Sequence, residues 1–380
     1  MRPTIPSAAM LALLVPVLAA AQQATPQGSP SADRRALVAR VDSLAADQLA
    51  NAPAASVAVA VVRGGDTIVM RGYGFADRAA MRPAGPTTVY EIGSITKQFT
   101  AAAIMRLVEQ GKIGLDDDLS KYVPSFPLHG HHVTIRQLLN HTSGIHSYTN
   151  QPAWRPHWAD DLTPDSIVGF VARDTFDFAP GTQWRYNNTG YVLLGMVIEK
   201  VSGKPYATYL EEQFFAPLGL KQTRYCPSHT TDTSFATGYS VQPPNTDLVA
   251  AQYLSMTHPF SAGALCSTVR DLLVWQRALH GGQVVSAASY RLMTTPDTLA
   301  NGKPLTYGFG LGTGTLGDHR MIAHGGGING FTTMQMYFPA ETLSVIVFTN
   351  TDRRGPDAAA TNMARAVLGL PLVARGAARP

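Results

Sequence analysis

The chain has 380 residues, 45% of them hydrophobic and 15% charged, with a formal net charge of +4. That is an ordinary globular mixture, long enough for one large core or two lobes. The small net charge comes with no run of Lys and Arg of the kind that grips phosphates, which argues against a nucleic-acid partner.

The first 21 residues have the form of an export leader: Arg2, an apolar stretch over 8–18, and Ala19-Ala20-Ala21 ahead of Gln22. The apolar stretch is interrupted by Pro16 and is too short to span a bilayer comfortably. The expected compartment is therefore periplasmic or extracellular, with no membrane association once the leader is removed. Residues 22–31 are polar and contain Pro and Ser, as a linker does, and the folded domain is expected over 32–370.

Within that domain, Leu37, Val41 and Leu44 recur at helical spacing over 33–49. Residues 56–62 and 67–72, joined by Arg63-Gly64-Gly65-Asp66, predict a β-hairpin. A helix is expected over 94–110, stopped by Gly111, and Thr134 is placed to cap another over 135–140. Further helices are expected over 190–201, closed by Ser202-Gly203, and over 271–279. Residues 332–338 and 343–350, around Pro339-Ala340-Glu341, predict a second hairpin, and 357–368 a last helix. Strands at both ends with helices between them predict an α+β fold. One antiparallel sheet is built from both termini, and a mostly helical insertion forms a second lobe. The sheet lobe is expected over 32–90 and 258–370, the helical lobe over 91–257. A cleft between such lobes is a common binding site.

Three segments carry chemistry. In Ser94-Ile95-Thr96-Lys97 the serine and lysine stand three apart on what reads as a helix, so hydroxyl and amine share one face. A lysine can activate a serine only when burial or nearby charge depresses its pKa; the alternative is a capping serine with a solvated lysine. Tyr186-Asn187-Asn188 lies just ahead of the 190–201 helix. A tyrosine held near a lysine is expected to lose its proton more readily than its ordinary pKa of about 10 allows. An asparagine two residues on offers a donor and an acceptor; the alternative is a plain turn. His324-Gly325-Gly326-Gly327 follows a strand-like segment, where glycines let backbone approach a ligand and an N–H point at an oxyanion; the alternative is a glycine turn between strands.

Taken together, these segments resemble the class C β-lactamase-like serine hydrolases and penicillin-binding proteins, a group that includes esterases and D-amino-acid peptidases. The resemblance runs over about 56–348. It is carried by Tyr90-Glu-Ile-Gly-Ser-Ile-Thr-Lys97, Gly114-Leu-Asp-Asp-Asp-Leu119 and Thr134-Ile-Arg-Gln-Leu-Leu-Asn-His-Thr-Ser-Gly144. It continues in Tyr186-Asn-Asn-Thr-Gly-Tyr-Val-Leu-Leu-Gly195, Ser261-Ala-Gly-Ala-Leu and His324-Gly-Gly-Gly-Ile-Asn-Gly-Phe331. The resemblance implies an acyl-enzyme mechanism with Ser94 as nucleophile, Lys97 as its partner and Tyr186 as proton relay. Asn188 is the asparagine of the Tyr-x-Asn motif, and the backbone N–H groups of Ser94 and Gly327 form the oxyanion hole. Asn187 replaces the usual serine between them, with its side chain expected to point away.

His324 stands where the lactamases carry the lysine of Lys-Thr-Gly. A histidine of ordinary pKa is only about a quarter protonated at pH 7, a weak anchor for a substrate carboxylate. The expected substrates are therefore small esters or D-amino-acid-containing amides, with poor turnover of β-lactams. A D,D-peptidase, a penicillin-binding protein, a β-lactamase and a non-catalytic scaffold are the alternatives. No metal or organic cofactor is expected.

Other residues read as structural. His129, His131 and His132 are expected in a solvated loop and Asp116-Asp117-Asp118 at a cap, while His141 and His146 flank Thr142-Ser143-Gly144. Tyr148, Trp154 and Trp158 either wall the cleft or fill the core. Whether Cys226 and Cys266 pair is left open by their spacing.

Overall fold

The computed structural model describes residues 31–51, 54–242, 247–353 and 355–374. The expected leader, and the linker apart from Ser31, lie outside the described residues. In chain order the strands are β1 (Ser56–Arg63), β2 (Asp66–Asp77), β3 (Arg82–Pro83), β4 (Tyr90–Glu91), β5 (Arg224–Tyr225) and β6 (Tyr239–Val241). They continue as β7 (Leu248–Ala250), β8 (Leu265–Ser267), β9 (Gly312–Leu316), β10 (His319–Ile328), β11 (Phe331–Phe338) and β12 (Leu343–Thr349).

Seven strands form one antiparallel sheet in the order β3-β2-β1-β12-β11-β10-β9, so the first and last long strands meet at its centre. Both expected hairpins are present, and the fold is α+β. Strands β1 and β12 are buried along almost their whole length, because helices cover both faces of the sheet. On one face, Val57, Val59, Val61, Val345 and Val347 pack with Val41 and Ala45 of the helix Ala32–Asn51 and with Ala360 and Met363 of the helix Asp357–Leu368. On the other, Ala58, Ala60, Ile346 and Phe348 join the larger core that includes Phe99, Trp275 and the interhelical apolar residues. Alanines on that face let the helix Val269–His280 lie close to the sheet.

A second, three-stranded sheet, β4-β8-β5, supports the segment that leads into Ser94. Its central strand β8 is tied to the residue that follows β5 by a disulfide between Cys266 and Cys226, whose Cα atoms are 5.2 Å apart. The pairing that spacing left open is thus present.

Two local expectations are corrected. The helix expected from residue 94 is a 3₁₀ turn, Gly93–Ile95, followed by the α-helix Thr96–Glu109. No side-chain capping bond is made there, so Ser94 is not a cap. The turn starts at Gly93 with φ +50°, a conformation that favours glycine. Nor is His324–Gly327 a turn: β10 runs straight through it, and the reversal falls at Asn329-Gly330, with Gly330 at φ +82°. Elsewhere Thr134 makes the expected cap, as part of a capping box with Gln137.

Candidate active site

The site forms where the turn Gly93–Ile95 packs against β10. Strand β9 pairs with β10 only as far as Ala323, leaving the edge open from His324 onward. The approach of the two backbones depends on glycines. A Cβ on Gly326 would stand 2.0 Å from the Ile92 carbonyl oxygen, and one on Gly93 would stand 2.9 Å from the Gly327 backbone N. The Thr333 hydroxyl also donates to the Ile92 carbonyl at 3.0 Å, fastening β11 to the same segment.

Lys97 is completely buried. Its Nζ lies 3.0 Å from Ser94 Oγ, 2.8 Å from Asn188 Oδ1 and 2.8 Å from the Ala262 carbonyl oxygen. Burial pushes the amine well below the ordinary lysine pKa. A neutral amine has two N–H groups and one lone pair. The two donors go to Asn188 and Ala262, and the lone pair is left facing the serine hydroxyl. The arrangement can therefore take a proton from Ser94. Asn188 opens the helix Asn188–Ser202, and its neighbour Asn187 caps that helix by accepting from Gly190 N–H at 2.7 Å. The Asn187 side chain is turned away from Ser94, toward the backbone of 145 and 190.

Tyr186 shares a cavity with Ser94, and its ring lies 4.7 Å from Lys97 Nζ, centroid to nitrogen. The phenol oxygen is buried and makes no hydrogen bond of normal length, although the nearby Ser94 hydroxyl favours its ionised form. Burial outweighs that and raises the phenol above its ordinary pKa, the reverse of the expectation from sequence. The reason is that the same burial neutralises Lys97, removing the positive charge that would have drawn the proton off.

His324 is 8% exposed, and both its ring nitrogens are used. Nδ1–H donates to the Gly325 carbonyl at 2.6 Å, so Nε2 is the acceptor for the Tyr307 hydroxyl at 2.8 Å. Burial holds its pKa down to about 4. The ring is neutral at pH 7, a weaker anchor for a carboxylate than even the quarter charge expected.

Two cavities meet at Ser94 and Gly327. One, of about 130 Å³, is walled by Tyr148, Trp154, Leu254 and Ile328. Its aromatic wall is held rigidly: Tyr148 Oη donates to the His258 carbonyl at 2.9 Å, and Trp154 Nε1 donates to His258 Nδ1 at 2.8 Å. Tyr148 and Trp154 thus wall the cleft, while Trp158 packs behind Trp154 with ring centroids 5.4 Å apart. The other, of about 380 Å³, is lined by Tyr186, His324, Thr332 and Thr333 and by Asp357 at the start of the last helix. Among the described residues lining it, none is Lys or Arg.

The remaining candidates lie apart from this site. His129 bonds the Ala172 carbonyl, His131 lies tilted against Phe176, and His132 faces Asp118. Asp116, Asp117 and Asp118 each serve a different partner: Arg136, the Gly114 N–H, and the Ser120 N–H. Two members of the site escaped the sequence reading. The Ala262 carbonyl is a backbone atom that no side-chain pattern reveals. Tyr307, which fixes His324, stands in a stretch without a motif.

Fold and site together are those of the Ser-x-x-Lys serine hydrolases of the β-lactamase/transpeptidase type. The chain belongs to the β-lactamase family, whose match spans residues 41–370. Penicillin-binding protein 4* of Bacillus subtilis (strain 168) is 31% identical over 312 residues, which cover 77% of this chain and 67% of that protein. A D-aminopeptidase of Brucella ovis is also 31% identical, over 316 residues, 83% of this chain and 60% of the relative. The chain thus spans about three fifths to two thirds of these curated relatives. A D-stereospecific amidohydrolase from Streptomyces sp. superposes with a TM-score of 0.76 at 29% identity, covering 90% of this chain and all of that one.

Proposed function

We propose that the protein is an exported serine hydrolase, periplasmic or secreted, that works through an acyl-enzyme. Its substrates are small D-amino-acid-containing amides or small esters, and β-lactams are poor ones. The observation that carries the chemistry is the buried Lys97 amine, 3.0 Å from Ser94 Oγ, with its two other partners both acceptors. As Ser94 Oγ bonds the substrate carbonyl carbon, its proton passes to Lys97 Nζ. The negative charge moves onto the carbonyl oxygen, between the N–H groups of Ser94 and Gly327. When the carbon–nitrogen or carbon–oxygen bond breaks, the leaving group takes the Tyr186 proton, and Lys97 returns one to the phenol. Water then attacks the acyl-enzyme by the reverse transfers.

The substrate class is supported by two things. Relatives of this chain include a D-aminopeptidase and a D-stereospecific amidohydrolase. The position of the carboxylate-anchoring lysine is held by a histidine that is neutral at pH 7. The experiment is a panel of a D-alanine nitroanilide, a short-chain nitrophenyl ester and a chromogenic cephalosporin, with Ser94→Ala as control. We expect amide or ester turnover that disappears in the variant, and cephalosporin kcat/KM lower by about 10²-fold or more, as befits a site without a fixed charge partner. Efficient cephalosporin hydrolysis alone would refute the substrate class, and activity surviving in Ser94→Ala would refute the mechanism.

A further inference from the structure

His141 carries three costs at once. Its φ is +64°, a left-handed conformation that a non-glycine residue adopts at the expense of strain. It is polar yet only 1% exposed. Its Nδ1 accepts a hydrogen bond from the Asn187 N–H at 3.2 Å, which puts the ring proton on Nε2, and that nitrogen has no partner. A leucine or phenylalanine would fill the space without the orphaned donor, so packing alone does not account for an imidazole here.

What the residue touches supplies the reason. The Arg185 N–H donates to the His141 carbonyl at 3.1 Å, while the Asn187 N–H reaches the ring. The two bonds grip the backbone immediately before and after Tyr186. The imidazole itself lies against the Tyr186 ring, centroids 4.5 Å apart, and against Tyr307 at 4.7 Å and Tyr191 at 5.1 Å. The following residues continue the lacing. Ser147 Oγ accepts from the Asn188 N–H at 3.2 Å, and the His146 carbonyl accepts from the Thr189 hydroxyl at 2.9 Å. Among these bonds, those of His141 are the pair that brackets the phenol.

We infer that His141 is the positioning residue of the Tyr186 relay: its carbonyl and Nδ1 clamp residues 185 and 187 on either side of the phenol-bearing residue. The inference rests on the acyl-enzyme reading proposed above. Its ring stays neutral at working pH because burial lowers its pKa well below the ordinary value, so the acceptor on Nδ1 is always available.

The test compares His141→Asn with His141→Gln. An asparagine places its amide oxygen where Nδ1 stands and tolerates positive φ; a glutamine carries it one bond farther, near Nε2. Both are scored on the nitrophenyl ester or nitroanilide per active site titrated with a phosphonate, so that lost folding does not count as lost rate. The clamp requires the asparagine variant to keep kcat within about fivefold of the parent, while the glutamine variant falls about 10²-fold with KM within about twofold, as a displaced catalytic group does. Equal kcat in the two variants, whether high or low, overturns the clamp. If the glutamine variant does not fold, His141→Ala replaces it, since it drops the acceptor without adding bulk. An inactive parent protein that still folds overturns the acyl-enzyme reading instead, which separates the two failures.

Discussion

Tyr186 poses the sharpest question at the scale of single residues, because its hydroxyl is buried with no hydrogen bond of normal length. An unsatisfied buried hydroxyl costs stability, about 1–3 kcal/mol in desolvation. Tyr186→Phe removes that cost while leaving the ring packed on His141. Its melting temperature should therefore stay level or rise, while kcat falls by about 10²–10⁴-fold, the usual loss when a proton-transfer group is removed. Calorimetry beside steady-state kinetics reads both. A fall in stability with kcat unchanged would assign the phenol to packing and remove it from the chemistry. Lys97 has the opposite balance: its amine is fully bonded, and what it gives up by burial is charge.

At the scale of elements, the decisive contact is between the turn Gly93–Ile95 and the open edge of β10. Neighbouring glycines in β10 have unlike roles there. At Gly326 a Cβ would run into the Ile92 carbonyl at 2.0 Å and the Thr333 hydroxyl at 2.3 Å, both part of the packed frame. At Gly327 it would meet nothing within 4 Å, and the residue lines both cavities. Gly326→Ala should therefore cost about 1–3 kcal/mol of stability, as overpacking does, and displace the turn that bears Ser94. Gly327→Ala should fold with near-parent stability but raise KM, since its methyl projects toward the substrate. Urea unfolding and kinetics on the pair check this, and equal stability losses at both positions would contradict it.

The whole molecule keeps several titratable groups neutral inside it, and each contributes to its response to pH. His324 titrates at about 4 in the folded protein against 6.5 when free. Between those values the unfolded chain holds the proton and the folded one does not, so stability falls as pH falls from about 6.5 toward 4. The loss from this group is about 3 kcal/mol over that window. His141 and Lys97, both lowered by burial, act in the same direction, whereas burial raises Glu91 to about 8 and makes it act against them. With urea midpoints taken at pH 7, 5.5 and 4.5, His324→Asn should lose less stability, or gain more, than the parent as pH falls. An unchanged slope in that variant would show that the histidine is solvated.

Much of this architecture was legible in the chain because it rests on local rules. A β-branched run and Gly-Gly marked the first hairpin, Thr134 announced its cap, and 3.6-residue spacing marked the first helix. The Ser-x-x-Lys, Tyr-x-Asn and His-Gly-Gly phrases named the residues that meet in the cleft. The sequence alone did not reveal that Ser94 sits in a 3₁₀ turn or that β10 continues through its glycines, since both follow from the packing of segments more than 200 residues apart. It also could not give the protonation states. Proximity of Tyr186 to a lysine predicted an easily ionised phenol, but burial neutralised the lysine and raised the phenol, and burial belongs to the assembled molecule. Residue types and their order determined which groups are present; only the tertiary structure decided how much water and charge surrounds each, and that environment sets what each group can do.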